Sequence, residues 1–209
     1  MLDFFYKNRG QIFSLTLEHL WLVGVAIAIA IAIGIPLGIL VSRKAWLHKP
    51  VLGTANVLQT IPSLALFGFL LPTPWLGERA DRLAIVALVL YALLPIVRNT
   101  YTGILGIDPA VKEAALGMGM TDGELLTHVE LPLGAPVILA GIRIATVTAV
   151  GVATIAAAIG AGGLGELIFR GVAMVNNQLI MAGALPAALL AIIADLALGA
   201  LENRLRVPK

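Results

Sequence analysis

Residues 108–132 read DPAVKEAALGMGMTDGELLTHVELP and carry Asp108, Glu113, Asp122, Glu124 and Glu130, five of the twelve acidic residues in a chain of 209. The chain around them is apolar: 59% of all residues are hydrophobic and 12% are charged, against about 25% charged in a soluble domain. So few charges cannot cover a globule of this size in water, so a bilayer is the solvent for most of the chain. The stretch itself has helix signals. Asp108-Pro109 is an N-cap acid followed by proline at the first helical position. The helix runs through VKEAALGM, and Gly119 supplies the positive φ that ends it. Thr121-Asp122-Gly123-Glu124 is a capping box, opening a second short helix to about His128, and Pro132 stops the chain before the next apolar run. Helices this short are marginal alone and form against something.

Working outward, five runs suit a membrane crossing of about 20 residues: 20–41, 51–71, 83–97 with an extension to Tyr101, 133–159 and 179–201. Pro36, Pro62, Pro95 and Pro186 fall inside these runs, where a bundle tolerates them as kinks. The fold expected is an all-α membrane protein of about five spans in a single domain, 1–209. Arg43, Lys44 and Lys49 in one connection, and Arg204, Arg206 and Lys209 in the tail, fall on the same side. The positive-inside rule makes that side cytoplasmic, puts the N-terminus outside and the C-terminus inside, and makes 108–132 a cytoplasmic loop. Lys7 and Arg9 at the outer N-terminus work against this bias. The first nineteen residues lack the small-residue cleavage site of a signal peptide and suit an amphipathic helix on the outer surface. With no cysteine there is no disulfide or thiolate metal site.

Glu113-Ala114-Ala115, three residues, Gly119, nine residues, then Val129-x-Leu131-Pro132 resembles the EAA loop of binding-protein-dependent ABC importer permeases. The resemblance implies a type I importer permease fold in the bacterial cytoplasmic membrane. It makes the loop a coupling helix that docks on an ATP-binding subunit through Glu113, Ala114, Ala115, Gly119, Met120 and Asp122. It implies two ATP-binding subunits, a second permease copy or a paralogue, and an extracytoplasmic solute-binding protein. ATP sits on the partner; this chain binds no cofactor, metal or nucleic acid and is not itself an enzyme. Gln59-Thr60-Ile61-Pro62-Ser63, the run from Tyr91 to Tyr101 and Ile159-Gly160-Ala161-Gly162-Gly163-Leu164-Gly165 are similar to the branch importing glycine betaine, carnitine or choline. Methionine-type permeases share the EAA loop and a similar glycine run, so an amino acid is the alternative solute.

The same glycines match a dinucleotide fingerprint formally, but the residues before them belong to a span and no βαβ unit surrounds them. A tight outer turn and a flexible connector both fit. Gln59, Thr60 and Ser63 beside Pro62, with Asn99 and Thr100 and with Thr146, Thr148 and Thr154, are candidates to line a solute path; interhelical hydrogen bonding accounts for each singly as well. Arg143 and Asp195 lie at similar depth in the fourth and fifth runs and are expected to pair, against the alternative of Arg143 reaching to the interface. Trp21, Trp46 and Trp75 suit interfacial anchors, and His19, His48 and His128 are scattered. A self-sufficient channel or ion-coupled carrier is the rival class. It calls for intramembrane acids in relays, of which Asp195 is the one deeply placed candidate.

Overall fold

Each apolar run becomes helix, because in lipid only a helix satisfies every backbone group within one segment. A computed structural model describes residues 2–205; Arg206 and Lys209 of the basic tail lie outside the described residues. The α-helices are α1 (Leu2–Lys7), α2 (Arg9–Arg43), α3 (Ala45–Thr60), α4 (Ser63–Leu70), α5 (Ala80–Leu105), α6 (Pro109–Gly117), α7 (Asp122–Glu124), α8 (Leu131–Ala156), α9 (Gly165–Ala173) and α10 (Asn177–Leu205). Among the described residues there is no strand. Helix α2, α5, the continuous helical stretch Asp122–Ile159 and α10 are long and apolar enough to cross a membrane; α3 and α4 together make a fifth, broken span.

Four features depart from the sequence reading. Pro62 does not kink one helix: Ile61 and Pro62 are extended, and α3 and α4 meet at 102°. Pro132 does not stop the chain. Residues Leu125–Glu130 form a π-helical turn, and Leu131 N–H reaches back to the Leu126 carbonyl, so the missing proline N–H falls where the bonding pattern has already shifted. Residues 9–19 do not lie apart on the surface. They continue α2, and Leu15 is buried with Leu164, Leu167 and Leu179. Helix α9 lies between the fourth and fifth apolar runs, where the sequence signals no helix.

The core is where α2, α5 and α8 meet. Ala26, Ala30, Ala84, Ala87, Ala145 and Ala149 are buried there with Leu22, Leu88 and Phe67. Small side chains let the helix axes approach closely. One close approach flanks the polar loop: a Cβ on Gly103 would stand 3.0 Å from the Gly134 carbonyl oxygen, and one on Gly134 3.2 Å from the Gly103 carbonyl. A side chain at either position would press on the facing backbone and force the helices apart by a few tenths of an ångström. By contrast Leu189, Ile192, Ile193 and Leu196 of α10 stay exposed, as lipid-facing residues do.

Candidate functional site

The polar loop is built as its local signals dictate. The Asp108 carboxylate accepts from Ala110 N–H at 2.9 Å, with Pro109 opening α6. Gly119 has φ +88°, and the α6–α7 turn passes through it. Glu124 N–H donates to Thr121 Oγ1 at 3.4 Å, and the Glu124 carboxylate accepts from Thr121 N–H at 2.8 Å, closing the capping box. Glu113, Ala114, Gly119 and Asp122 are exposed, Met120 is half-buried, and Ala115 is buried. Ala115 therefore faces inward rather than presenting itself outward. Val111, Leu116 and Met118 are exposed beside Glu113, giving an apolar and acidic outer face.

Sequence reasoning missed what anchors this loop. Glu130 is fully buried in the π-helical turn. Arg43 at the end of α2 grips it with both guanidinium nitrogens, Nη1 reaching Oε1 at 3.2 Å and Nη2 reaching Oε2. Lys112 of α6 lies 3.3 Å from Oε1 and also donates to the Ile104 carbonyl at 2.8 Å. One buried carboxylate thus joins α2, α6 and the start of α8. A buried charge is retained only when paired and hydrogen-bonded, and a glutamate one residue before Leu131-Pro132 was the available hint.

The predicted pair exists: Arg143 Nε donates to Asp195 Oδ1 at 2.7 Å. Glu202, which the sequence reading did not include, takes Nη1 of the same arginine at 3.2 Å.

The path candidates divide. Gln59 and Asn99 line one cleft of ≈ 410 Å³ between α3, α5 and α8, with Tyr91, Arg98 and Thr148. Thr146 does not join them. It bonds back to the Ile142 carbonyl at 2.8 Å, whereas Thr148, two residues on and therefore on another helix face, lines the cleft. Thr60 is exposed and bonds back to Val57, and Ser63 stands half-buried beyond the break. The role of Gln59 has a backbone cause. Pro95 has no N–H, so the Tyr91 carbonyl four residues earlier loses its helical partner. Gln59 Nε2 donates to that carbonyl at 2.9 Å. The Tyr91 hydroxyl in turn donates to the Ile61 carbonyl at the α3–α4 break. Two prolines thus free two stretches of backbone, and each is bonded by a side chain from the other helix.

At the opposite end the glycine run is a tight turn, with φ +81°, +80° and +77° at Gly160, Gly162 and Gly163. Gly163 N–H donates to the Glu18 carboxylate at 3.2 Å. His19 is fully buried beside it and donates from Nε2 to the Val150 carbonyl at 3.1 Å. The flexible-connector alternative is set aside.

Residues 30–207 match a family described as the binding-protein-dependent transport system inner membrane component. The osmoprotectant import permease protein OsmW of Salmonella typhimurium is 47% identical over 93% of this chain and 91% of its own. The carnitine transport permease protein OpuCB of Listeria monocytogenes is 42% identical over 98% and 93%, and the choline transport system permease protein OpuBB of Bacillus subtilis 40% over 98% and 93%. Among solved structures, an inward-facing MetNI methionine ABC transporter is similar with a TM-score of 0.82 at 25% identity, covering 91% of this chain and 94% of that one.

Proposed function

The chain belongs to the binding-protein-dependent transport system inner membrane components, the permease subunits of ABC importers, and on that premise we propose that it carries a small osmoprotectant such as glycine betaine, carnitine or choline. The observation that carries the solute class is the similarity at 40–47% identity, over nearly the whole chain, to permeases named for osmoprotectant, carnitine and choline. The self-sufficient channel or carrier is set aside with the family. Under this reading ATP is hydrolysed by two separate ATP-binding subunits. A solute-binding protein delivers the solute from outside, and a second permease, a copy or a paralogue, completes the pathway.

The loop end of the bundle is the cytoplasmic end in this proposal, with the N-terminus outside. Glu113, Ala114, Gly119, Met120 and Asp122 form the docking surface for the ATP-binding subunit, and Ala115 faces inward behind it. An exposed face of mixed apolar and acidic residues on an ordered helix supports this role. Closure of the ATP-binding subunits pushes the loop, and the push reaches the spans through Lys112, Glu130 and Arg43. The solute passes along the cleft at Gln59 and Asn99. Arg143, Asp195 and Glu202 have a structural part, tying α8 to α10.

The test is uptake in cells that produce this permease with its ATP-binding and solute-binding partners. Labelled glycine betaine, carnitine, choline and methionine are supplied in turn. ATP-dependent uptake of at least one of the first three is expected. Uptake of methionine alone would replace the osmoprotectant reading with the amino-acid one.

A further inference from the structure

Two arginines stand within membrane-spanning helices, away from the helix ends, and their surroundings are opposite. Arg143 in α8 is flanked by the carboxylates of Asp195 and Glu202. Arg98 stands seven residues before the end of α5 at Leu105, roughly 10 Å along the axis at 1.5 Å per residue. Among the described residues it has no hydrogen-bond or ion-pair partner, and its side chain is exposed to the cleft that holds Gln59 and Asn99. It also borders a second cleft of ≈ 440 Å³ nearer the loop end, with His48, Lys49, Asn56 and Tyr101. No carboxylate lines either cleft, so their fixed charges are cationic throughout.

An unpaired cation in a membrane-spanning helix faces the interface or a cavity, and one that faces a cavity meets a partner there. The partner that fits a guanidinium is a planar anion with two oxygens, which takes its parallel N–H groups in a fork; a carboxylate does so with geometry as well as charge. Resting on the osmoprotectant reading, this divides the candidate solutes. Glycine betaine and carnitine carry a carboxylate beside the quaternary ammonium, and choline does not. We propose that Arg98 is the site that receives the carboxylate of a zwitterionic solute in the α3–α5–α8 cleft, with Lys49 continuing the attraction toward the loop end. A bare cation gains nothing from Arg98. Arg98 is thus a specificity-determining residue of the permease itself, apart from any selection by the solute-binding protein.

The experiment measures uptake of glycine betaine, carnitine and choline by the complete importer with wild-type permease, Arg98→Gln and Arg98→Lys, beside the amount of intact complex extracted in detergent. Arg98→Gln is expected to lower uptake of the carboxylate-bearing solutes at least tenfold while choline uptake changes less than twofold. Arg98→Lys, which keeps the charge and loses the fork, is expected to fall between. Equal loss for all three solutes, or no loss for any, overturns the proposal. If wild type imports only carboxylate-bearing solutes, loss in Arg98→Gln with partial recovery in Arg98→Lys supports it, and full uptake or equal loss in both overturns it. If Arg98→Gln does not assemble, Arg98→Lys decides: at least a threefold fall for the zwitterions relative to choline, or to its own extracted complex where choline is not imported, is the supporting result. Wild-type uptake of choline alone overturns the proposal and leaves the osmoprotectant reading standing. Uptake of none of the three removes that reading and the proposal together.

Discussion

Replacing Glu130 by Gln keeps the shape of the side chain and removes the charge that Arg43 and Lys112 share. The carboxylate is fully buried, while the arginine keeps 38% and the lysine 22% of its side-chain surface. Breaking a fully buried pair costs about 3–5 kcal/mol, because one charge is stranded away from water. Here the stranded charges are the two cations, and both retain solvent contact. The expected loss is therefore smaller, about 2–3 kcal/mol. Arg43→Met strands the buried anion instead and removes two parallel bonds, so it should cost the most, near the top of the 3–5 kcal/mol range. Lys112→Met leaves Glu130 gripped by Arg43 and removes one contact at 3.3 Å with the bond to the Ile104 carbonyl; about 1.5–3 kcal/mol is expected for a charged donor. The assay is denaturant unfolding of the detergent-purified permease, followed by far-UV circular dichroism, with ATP hydrolysis and solute uptake of the assembled importer measured alongside. Hydrolysis should persist in Glu130→Gln while uptake falls, because the loop loses its tie to α2 and α8. A cost for Lys112→Met above that for Arg43→Met, or uptake and hydrolysis falling in step, would refute the account.

Gly119→Val forces a β-branched residue to φ +88° with nothing crowding its Cβ, so strain of about 1–3 kcal/mol falls on the turn alone; the permease should reach the membrane and lose co-purification with the ATP-binding subunit, whereas Gly119→Asn should keep it. Single cysteines at Lys44 and Asp122 should resist an impermeant thiol reagent in intact cells while those at Asp81 and Asn177 react, and outside labelling at Asp122 would reverse the proposed orientation. Arg143→Leu should lower monodisperse yield more than Asp195→Leu, because Glu202 still holds the arginine in the latter; the double variant should recover part of the yield, and purely additive loss would end the ion-pair account.

What the sequence made legible is what local chemistry decides. The Asp108 cap, the Gly119 turn and the Thr121–Glu124 box each depend on neighbours within four residues, and all three stand as read. Arg143 and Asp195 were legible because depth along a helix is simple arithmetic. The misreadings depend on the whole bundle. A proline signals disruption but not its outcome: Pro36, Pro95 and Pro186 stay within continuous helices, Pro62 marks a bend of 102°, and Pro132 is absorbed by a π-helical turn. Thr146 and Thr148 differ only in the helix face they occupy, which no composition argument resolves. The Arg43–Glu130–Lys112 contact joins residues 87 apart in the chain, and lysine and arginine counted for topology carry no sign of their partners.

The contact between Gly103 and Gly134 turns residues 104–133 into a closed ring, leaving and re-entering the bundle at a single point where backbone meets backbone. A force applied anywhere on that ring cannot spread α5 from α8 at the loop end without opening that contact. It is delivered to the two helices as to one lever. Asn99 and Arg98 stand on one arm of that lever and Thr148 on the other, so these two walls of the cleft swing together and keep their spacing. The wall free to part from them is α3, fastened across the gap by Gln59 and the Tyr91 hydroxyl. Two hydrogen bonds are a latch that can open and re-form within a transport cycle, and a backbone contact between glycines is a hinge pin that stays closed.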